Sequence, residues 1–283
     1  MADYEIVRLA NGVHSVRSKA ENETFHPVVG PVQEARELYV EQLHLPERIA
    51  ASKRTFVVWD VGLGAAANVL TLLDASKGHR SHVQIVSFDH TLKPLEFATD
   101  HADQLEYPMA FRSELQSLAR GQKVEFAYGE LKVSWEVHVA DFPWLVASSE
   151  AEQWPKPDAI LFDAFSPAKN PAMWTLPLFR RIFDLLHPQR PCAMPTYSRS
   201  TMLRVTLLLA GFFVGVGRPI GEKEETTIAA NDLSLIEEPL PVSWLKRARN
   251  STCAEPLVEP VYTRAPLSEA SWEKLNAHPQ FNT

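Results

Sequence analysis

Apolar and polar positions alternate along this chain in two rhythms, and the rhythm changes near residue 55. Before that point the chain is polar and mixed. Residues 4–9 and 14–17 flank Asn11-Gly12, a dipeptide that favours a tight turn, and predict a small hairpin. Residues 32–43 space their apolar side chains as a helix does, with Gly30-Pro31 at the start. From Thr55 on, short apolar runs alternate with helical patterns. Buried strands are predicted at 56–60, 83–88, 159–162 and 192–196. A further strand is predicted at 131–139, with Val133, Trp135, Val137 and Val139 on one face. Between them, helices are predicted at 65–75, 91–101, 173–186 and 200–210, the last closed by Gly211.

Strands alternating with helices predict an α/β fold with a doubly wound, Rossmann-like sheet. The expected organisation is a hairpin and helix packed on the core (1–50), a core (51–231), and an extended arm (232–283) carrying six prolines. In such sheets ligands bind beyond the C-terminal ends of the strands. Four predicted strands end at or beside an acid: Asp60, Asp89, Asp141 and Asp163.

Composition narrows the picture. With 45% hydrophobic and 22% charged residues, the 283-residue chain is neither disordered nor collagen-like. Two cysteines, Cys192 and Cys253, make neither a disulfide framework nor a Cys-rich zinc site, and no metal is expected. The first residues lack a basic and apolar leader pattern, and the greasy stretch 207–217 is too short for a membrane span. A cytoplasmic protein without a membrane partner is expected. The net charge of −7 argues against a nucleic-acid coat protein. Locally the balance reverses. Between 165 and 205 stand Lys169, Arg180, Arg181, Arg190, Arg199 and Arg204 against Asp184 alone, followed by Lys246, Arg247 and Arg249. Such a region attracts phosphates, or is an ordinary helix surface.

The strand, Asp60, Gly62-x-Gly64 and helix form a nucleotide-loop layout that fits either NAD(P) or S-adenosylmethionine. A pyrophosphate beside Asp60 would be repelled, whereas an ammonium and a sulfonium would be attracted. On the S-adenosylmethionine reading, Asp60 holds the ammonium, Asp89 the ribose hydroxyls and Asp141 the adenine amino group, with Phe142 beside the ring. The bland alternatives are an Asp60 that only orders the loop, an Asp89 that only caps the next helix, and an Asp141 that only serves a turn. After the fourth of these strands, Asp163-Ala-Phe165-Ser-Pro-Ala-Lys169-Asn170-Pro-Ala-Met-Trp174 makes a pinned loop. Asp163 there can orient an acceptor amine and take its proton. Phe165 and Trp174 can stack on a flat substrate, or Trp174 can be core.

This loop resembles the signature of the MnmC-like tRNA methyltransferase family, close to D-G/A-F-A/S-P-x-K-N-P-x-M/L-W. The likeness extends in order over roughly residues 20–230. His26-Pro-Val-Val-Gly30 to Glu34 resembles the family's N-terminal Gly-x-x-x-Glu region, and Asp60-Val-Gly62-Leu-Gly64 with Asn68 its glycine loop. Thr196-Tyr197-Ser198, Arg204, Ala210-Gly211-Phe212 and Gly221-Glu-Lys223-Glu224 resemble its closing elements. The resemblance implies a class I methyltransferase acting on 5-aminomethyl-(2-thio)uridine at the tRNA wobble position. It implies tRNA as partner and a stand-alone form with no FAD. It also implies Asp163 and Phe165 at the reaction centre, and Glu34, Asp60, Gly62, Gly64, Asn68, Asp89, Asp141 and Phe142 at the cofactor. Lys169, Asn170, Trp174, Tyr197, Arg204 and Lys223 are then expected at the substrate. Three departures separate the chain from the family pattern: Ala66 for a third glycine, Asp89 for a glutamate, and Pro188-Gln-Arg-Pro191 for a Pro-Gly-Gly turn. They keep open a methyltransferase for another amine or small molecule, and a non-catalytic S-adenosylmethionine-binding relative. Oligomeric state is not legible.

Overall fold

Around Asn11-Gly12 the chain folds back on itself as the dipeptide predicts. In the computed structural model, which describes residues 3–282, β1 (Tyr4–Arg8) and β2 (His14–Ser18) pair antiparallel, and β3 (Glu23–Thr24) adds to β2. The helical pattern after Gly30 is not one helix. It splits into α1 (Pro31–Ala35), a π-helical stretch over Arg36–Glu41, and α2 (Leu45–Ala51). The wider π turn buries three successive residues, Leu38, Tyr39 and Val40. A regular helix would carry one of three such neighbours around to solvent.

The apolar run at 56–60 becomes β4 (Phe56–Val61), buried at every position, as expected of a strand covered on both faces. It is followed by α3 (Ala67–Ser76), β5 (His82–Asp89), α4 (Lys93–Asp100), α5 (Ala102–Leu105) and α6 (Arg112–Gly121). Next come β6 (Lys123–Tyr128), β7 (Leu131–Val139) and, further along the chain, β8 (Ala159–Phe162). Helix α6 and strand β6 were not expected from the sequence. The predicted alternation of β7 is present at Val133, Trp135 and Val137, which are buried while their neighbours are not; Val139, expected on the same face, is only half-buried.

Two units organise these elements. The first comprises the chain up to Asp141, Ala159–Asp163 and Pro219–Glu224. Its five strands run in the order β8-β4-β5-β7-β6, with β8, β4, β5 and β7 parallel and β6 antiparallel. Parallel pairing puts the C-terminal ends of β4, β5, β7 and β8 on one side, where Asp60, Asp89, Asp141 and Asp163 stand. The N-terminal hairpin belongs to this unit too. Tyr4, Ile6 and Phe25 pack with Val16, Ala65, Ala98 and Leu105 in one apolar cluster beside the glycine loop.

The second unit comprises Phe142–Asp158, Ala164–Arg218 and the chain from Glu225 on. It holds α7 (Phe142–Ala147), α8 (Leu176–Leu185), β9 (Ala193–Thr196), α9 (Thr201–Ala210), β10 (Phe213–Gly217) and β11 (Thr226–Ala230). Strand β11 pairs antiparallel with β9 and with β10. Residues 232–283, expected as an extended arm, contain two helices within the described residues, α10 (Trp244–Asn250) and α11 (Glu269–Asn276). Trp244, Leu245 and Ala248 of α10 are buried. The prolines lie outside these two helices. Both cysteines are free thiols, Cys192 buried and Cys253 exposed. No helix among the described residues is long and apolar enough to cross a membrane.

Candidate active site

The turn after β4 is set by two glycines. Gly62 (φ 92°) and Gly64 (φ 49°) both have positive φ, where a side chain is strained. The Gly62 N–H donates to the Phe88 carbonyl at 2.9 Å, tying the loop to β5. Ala66, at φ 64°, caps α3 in the same left-handed region and is buried. Here the family pattern has glycine and this chain stores strain. Ala66→Gly is expected to raise stability by roughly 0.5–1 kcal/mol in chemical denaturation, relief of strain outweighing the added backbone entropy.

Asp89 holds this loop from the end of β5. Its Oδ2 accepts from the Gly64 N–H at 2.9 Å and its Oδ1 from the Thr91 N–H at 3.2 Å. His90 Nδ1 lies 3.1 Å from the same Oδ1, and that bond holds the imidazole pKa above its ordinary value. The carboxylate expected at the ribose thus also serves as the loop's anchor and caps the next turn. Asp141, two residues past β7, is exposed, while Phe142 is buried in the second unit.

Asp60 points into the interior. Its Oδ2 accepts from the Ser87 hydroxyl at 2.7 Å, and Ser87 Oγ in turn accepts from Trp135 Nε1 at 2.9 Å. Its Oδ1, fully buried, has no partner among the described residues. Burial, only partly offset by Ser87 and reinforced by Asp163 and Asp89, lifts its pKa from 3.8 to about 7. Asn68, in the first turn of α3, repeats the pattern. Its Nδ2 donates to Asp163 Oδ2 at 2.9 Å while its buried Oδ1 has no partner among the described residues.

Asp163 follows β8 directly. Its N–H donates to the Val61 carbonyl at 2.9 Å, and the preceding Phe162 carbonyl accepts from the Tyr39 hydroxyl at 2.9 Å. The π turn therefore brings Tyr39 to the end of the strand that carries Asp163. Beside Asp163 stands a residue that sequence reasoning left without a role. His26, at φ 49° just after β3, places Nε2 3.7 Å from Asp163 Oδ2 and Nδ1 3.4 Å from Glu34 Oε1. Burial works against a charged imidazole, but the two carboxylates prevail and lift its pKa to about 9. Burial pushes the Asp163 carboxyl upward and Glu34 adds to this, while His26, Asn68 and Lys223 oppose it. For Glu34, burial is outweighed by His26 and Lys223, and its pKa falls. A histidine in a loop, with partners 8 and 137 positions away, leaves no spacing signal to read. The only sequence clue was its place at the head of the His26–Ala35 segment that resembles the family's N-terminal region.

The first unit thus brings together His26, Glu34, Asp60, Gly62, Gly64, Asn68, Asp89, Asp163 and Lys223. Two buried acceptors without partners, an acid-lined loop and two positive-φ glycines fit a ligand that presents a cation and hydrogen-bond donors. They do not fit a pyrophosphate. A shallow cavity of about 410 Å³ lined by His82, Phe126 and Lys132 lies instead by the N-terminal ends of β5 and β7, away from this chemistry. Among the described residues, no group of three or more His, Cys, Asp or Glu side chains is arranged to hold a metal ion.

Residues 108–232 match a family described as S-adenosyl-L-methionine-dependent methyltransferase. That match covers a little under half of the chain. Over 250 residues it is 26% identical to the tRNA 5-methylaminomethyl-2-thiouridine biosynthesis bifunctional protein MnmC of Methylibium petroleiphilum, covering 83% of this chain and 36% of that protein. The protein of the same name in Leptospira interrogans is 27% identical over 203 residues, 69% of this chain and 30% of that protein. The chain therefore spans about a third of the length of these relatives. In fold it is similar to MnmC2 from Aquifex aeolicus, with a TM-score of 0.69, 24% identity, and coverage of 98% of this chain and 84% of the other. The likeness is one of fold, in keeping with the doubly wound α/β sheet expected from the strand–helix alternation.

The second unit corrects two of the expected substrate contacts. Trp174 is fully buried and donates from Nε1 to the Phe165 carbonyl at 2.7 Å, so it braces the loop from inside and has no face for a base. Arg204 is also buried. Its guanidinium donates to Thr227 Oγ1 at 3.0 Å and the Thr226 carbonyl at 2.8 Å, and pairs with Glu225 at 3.3 Å. Tyr197 donates its hydroxyl to the Ala164 carbonyl at 3.3 Å. Lys169 is exposed, and Phe165 and Asn170 are half-buried. The basic stretch is largely consumed within the fold. Arg181 binds the Val146 carbonyl and Glu152, Arg190 the Lys156 carbonyl, and Arg180 the Leu209 carbonyl. Arg199, Lys246 and Arg247 remain at the surface, Arg247 4.0 Å from Glu225.

Proposed function

We propose that this chain transfers a methyl group from S-adenosylmethionine to the primary amine of 5-aminomethyl-(2-thio)uridine at the wobble position of tRNA. The observation that carries the chemistry is the Asp163 carboxylate, fixed by Asn68 and His26 beside the glycine loop. The names of the relatives point to the wobble uridine as the acceptor. Asp60 Oδ1 and Asn68 Oδ1 are the acceptors for the methionine ammonium, with Glu34 nearby, and Asp89 serves the ribose from its place at the end of β5. When bound, S-adenosylmethionine supplies an electrophilic methyl group on a positively charged sulfur.

Asp163 supplies the base. The acceptor enters as an ammonium, attracted by the acids at the strand ends. The Asp163 carboxylate takes one of its protons, leaving a neutral amine. The lone pair of that amine forms the N–C bond as the S–C bond breaks. The product is a secondary ammonium beside the now-protonated Asp163, which gives its proton to solvent before the next turnover. The Phe165–Trp174 loop, braced from inside by Trp174, holds its shape next to Asp163 in sequence. Most of what the protein contributes is positioning and a fixed field, since the methyl donor is already reactive.

The test is direct. The purified protein is incubated with S-adenosylmethionine and tRNA carrying the unmethylated aminomethyl group, and the wobble nucleoside is read by mass spectrometry. A gain of one methylene on that nucleoside is the expected result. No gain, with S-adenosylhomocysteine still bound in calorimetry, would redirect the proposal to another amine acceptor. One observation favours that second reading: Arg181, Arg190 and Arg204 are spent inside the fold and leave fewer cations for phosphates. Under the leading reading, RNA binding weakens steeply with salt, and Arg199→Ala with Arg247→Ala reduces that slope.

A further inference from the structure

We propose that His26 is a positioning residue for the base, bridging Glu34 and Asp163 so that Asp163 is held ionised with one oxygen turned to the acceptor. The proposal rests on the methyl-transfer reading above. Asp163 Oδ2 is the supported oxygen. It accepts from Asn68 Nδ2 at 2.9 Å and faces His26 Nε2 at 3.7 Å. Oδ1 is bonded to neither, which leaves it as the oxygen for the incoming amine.

The bridge needs a ring with polar atoms on opposite edges. Nδ1 faces Glu34 at 3.4 Å while Nε2 faces Asp163, and only the protonated imidazole donates from both edges at once. Its side chain is 11% exposed, so water screens the pair little. The left-handed backbone at His26 aims the ring inward from the end of β3, and Phe25, the residue before it, packs against Gly64. The N-terminal hairpin therefore delivers both a cover for the glycine loop and a cation for the base.

The charges around Asp163 show why such a cation is required. Glu34 on α1 and Asp60 on β4 are negative neighbours, and burial adds to their effect. His26 and Lys223 are the positive ones. Without His26, a buried carboxyl among acids holds its proton, and a protonated carboxyl cannot take another from the substrate. Removing an opposite charge at this range raises a carboxyl pKa by about 1–3 pH units.

The experiment has two arms. In the first, His26→Gln removes the charge and keeps hydrogen-bonding capacity. The acid limb of its kcat/KM profile is expected to move up by about 1–3 pH units, so that activity at a pH well down that limb falls about 10- to 1,000-fold and recovers as pH rises. S-adenosylhomocysteine binding by calorimetry shows that the variant is folded. A folded variant with an unmoved acid limb overturns the proposal. In the second arm, the His26 imidazole is titrated by NMR in the wild-type protein and in Asp163→Asn. A titration near pH 9 that falls markedly in Asp163→Asn supports the bridge. A titration near the free-histidine value in both overturns it. The second arm decides the matter if His26→Gln fails to fold. It also decides it if the wild-type protein methylates no wobble amine, a result that sinks the proposed substrate and leaves the bridge to be judged alone.

Discussion

Asp163→Ala is expected to lower methyl transfer by about 10²–10⁴-fold, the range for losing a general base, while S-adenosylhomocysteine binding changes only a few-fold. The division follows from where its bonds go. Asp163 touches His26 and Asn68 through one oxygen, and neither of the unpartnered acceptors assigned to the methionine ammonium belongs to it. The truncation leaves Asn68 Nδ2 without its acceptor, at about 1 kcal/mol, and removes a buried carboxyl that was held against its tendency to protonate. The fold should therefore survive. Asp163→Asn is the companion variant: it keeps shape and accepts from Asn68, yet cannot take a proton, so it should be as inactive as the alanine form. Single-turnover methyl transfer with excess enzyme reads the loss. A near-wild-type rate in either variant would remove Asp163 from the mechanism.

Asp60→Asn should push stability and binding in opposite directions. Asp60 has a pKa raised to about 7 in the folded protein, from an ordinary 3.8. The folded state therefore binds the proton more tightly than the unfolded state does. Its stabilising effect is full below pH 3.8 and is lost as pH rises through about 7. At roughly 1.4 kcal/mol per pH unit, the ionised form costs the ligand-free protein up to about 4 kcal/mol at pH 8. An uncharged asparagine escapes that loss and still accepts from the Ser87 hydroxyl. The ligand-free variant should be more stable than wild type at pH 8, with the gap narrowing as pH falls and closing only near pH 3.8, measured by urea unfolding. The same change removes the acid that faces the ammonium. Binding of S-adenosylhomocysteine should weaken by about 10- to 100-fold, the scale of a hydrogen bond to a charged group. A variant that is both less stable at pH 8 and unimpaired in binding would contradict the role assigned to Asp60.

What the sequence revealed and what it hid divide along physical lines. Asp60, Asp89 and Asp163 were legible because a buried strand announces its own end, and an acid at or just past that end stands at the ligand side of a parallel sheet. The glycine loop was legible for the same reason. Trp174 and Arg204 were not, because inward and outward orientations share one residue type. An indole satisfied by the Phe165 carbonyl and a guanidinium satisfied by Thr226, Thr227 and Glu225 look in sequence like groups waiting for a substrate. Strand β11, Thr-Thr-Ile-Ala-Ala, is buried at all five positions and so carries no alternation to detect. His26 was hidden by distance along the chain.

The π turn between α1 and α2 has one more consequence, for how this lineage tolerates insertions and deletions. Each residue advances a helix by about 100°. Loss of one residue from Arg36–Glu41 would restore regular winding at the cost of rotating α1 by about that angle against Tyr39, which is anchored to the Phe162 carbonyl. Glu34 would then swing away from His26, and with it one side of the support behind Asp163. A six-residue stretch with no direct contact to a reacting atom is thereby under a constraint of length as well as of composition.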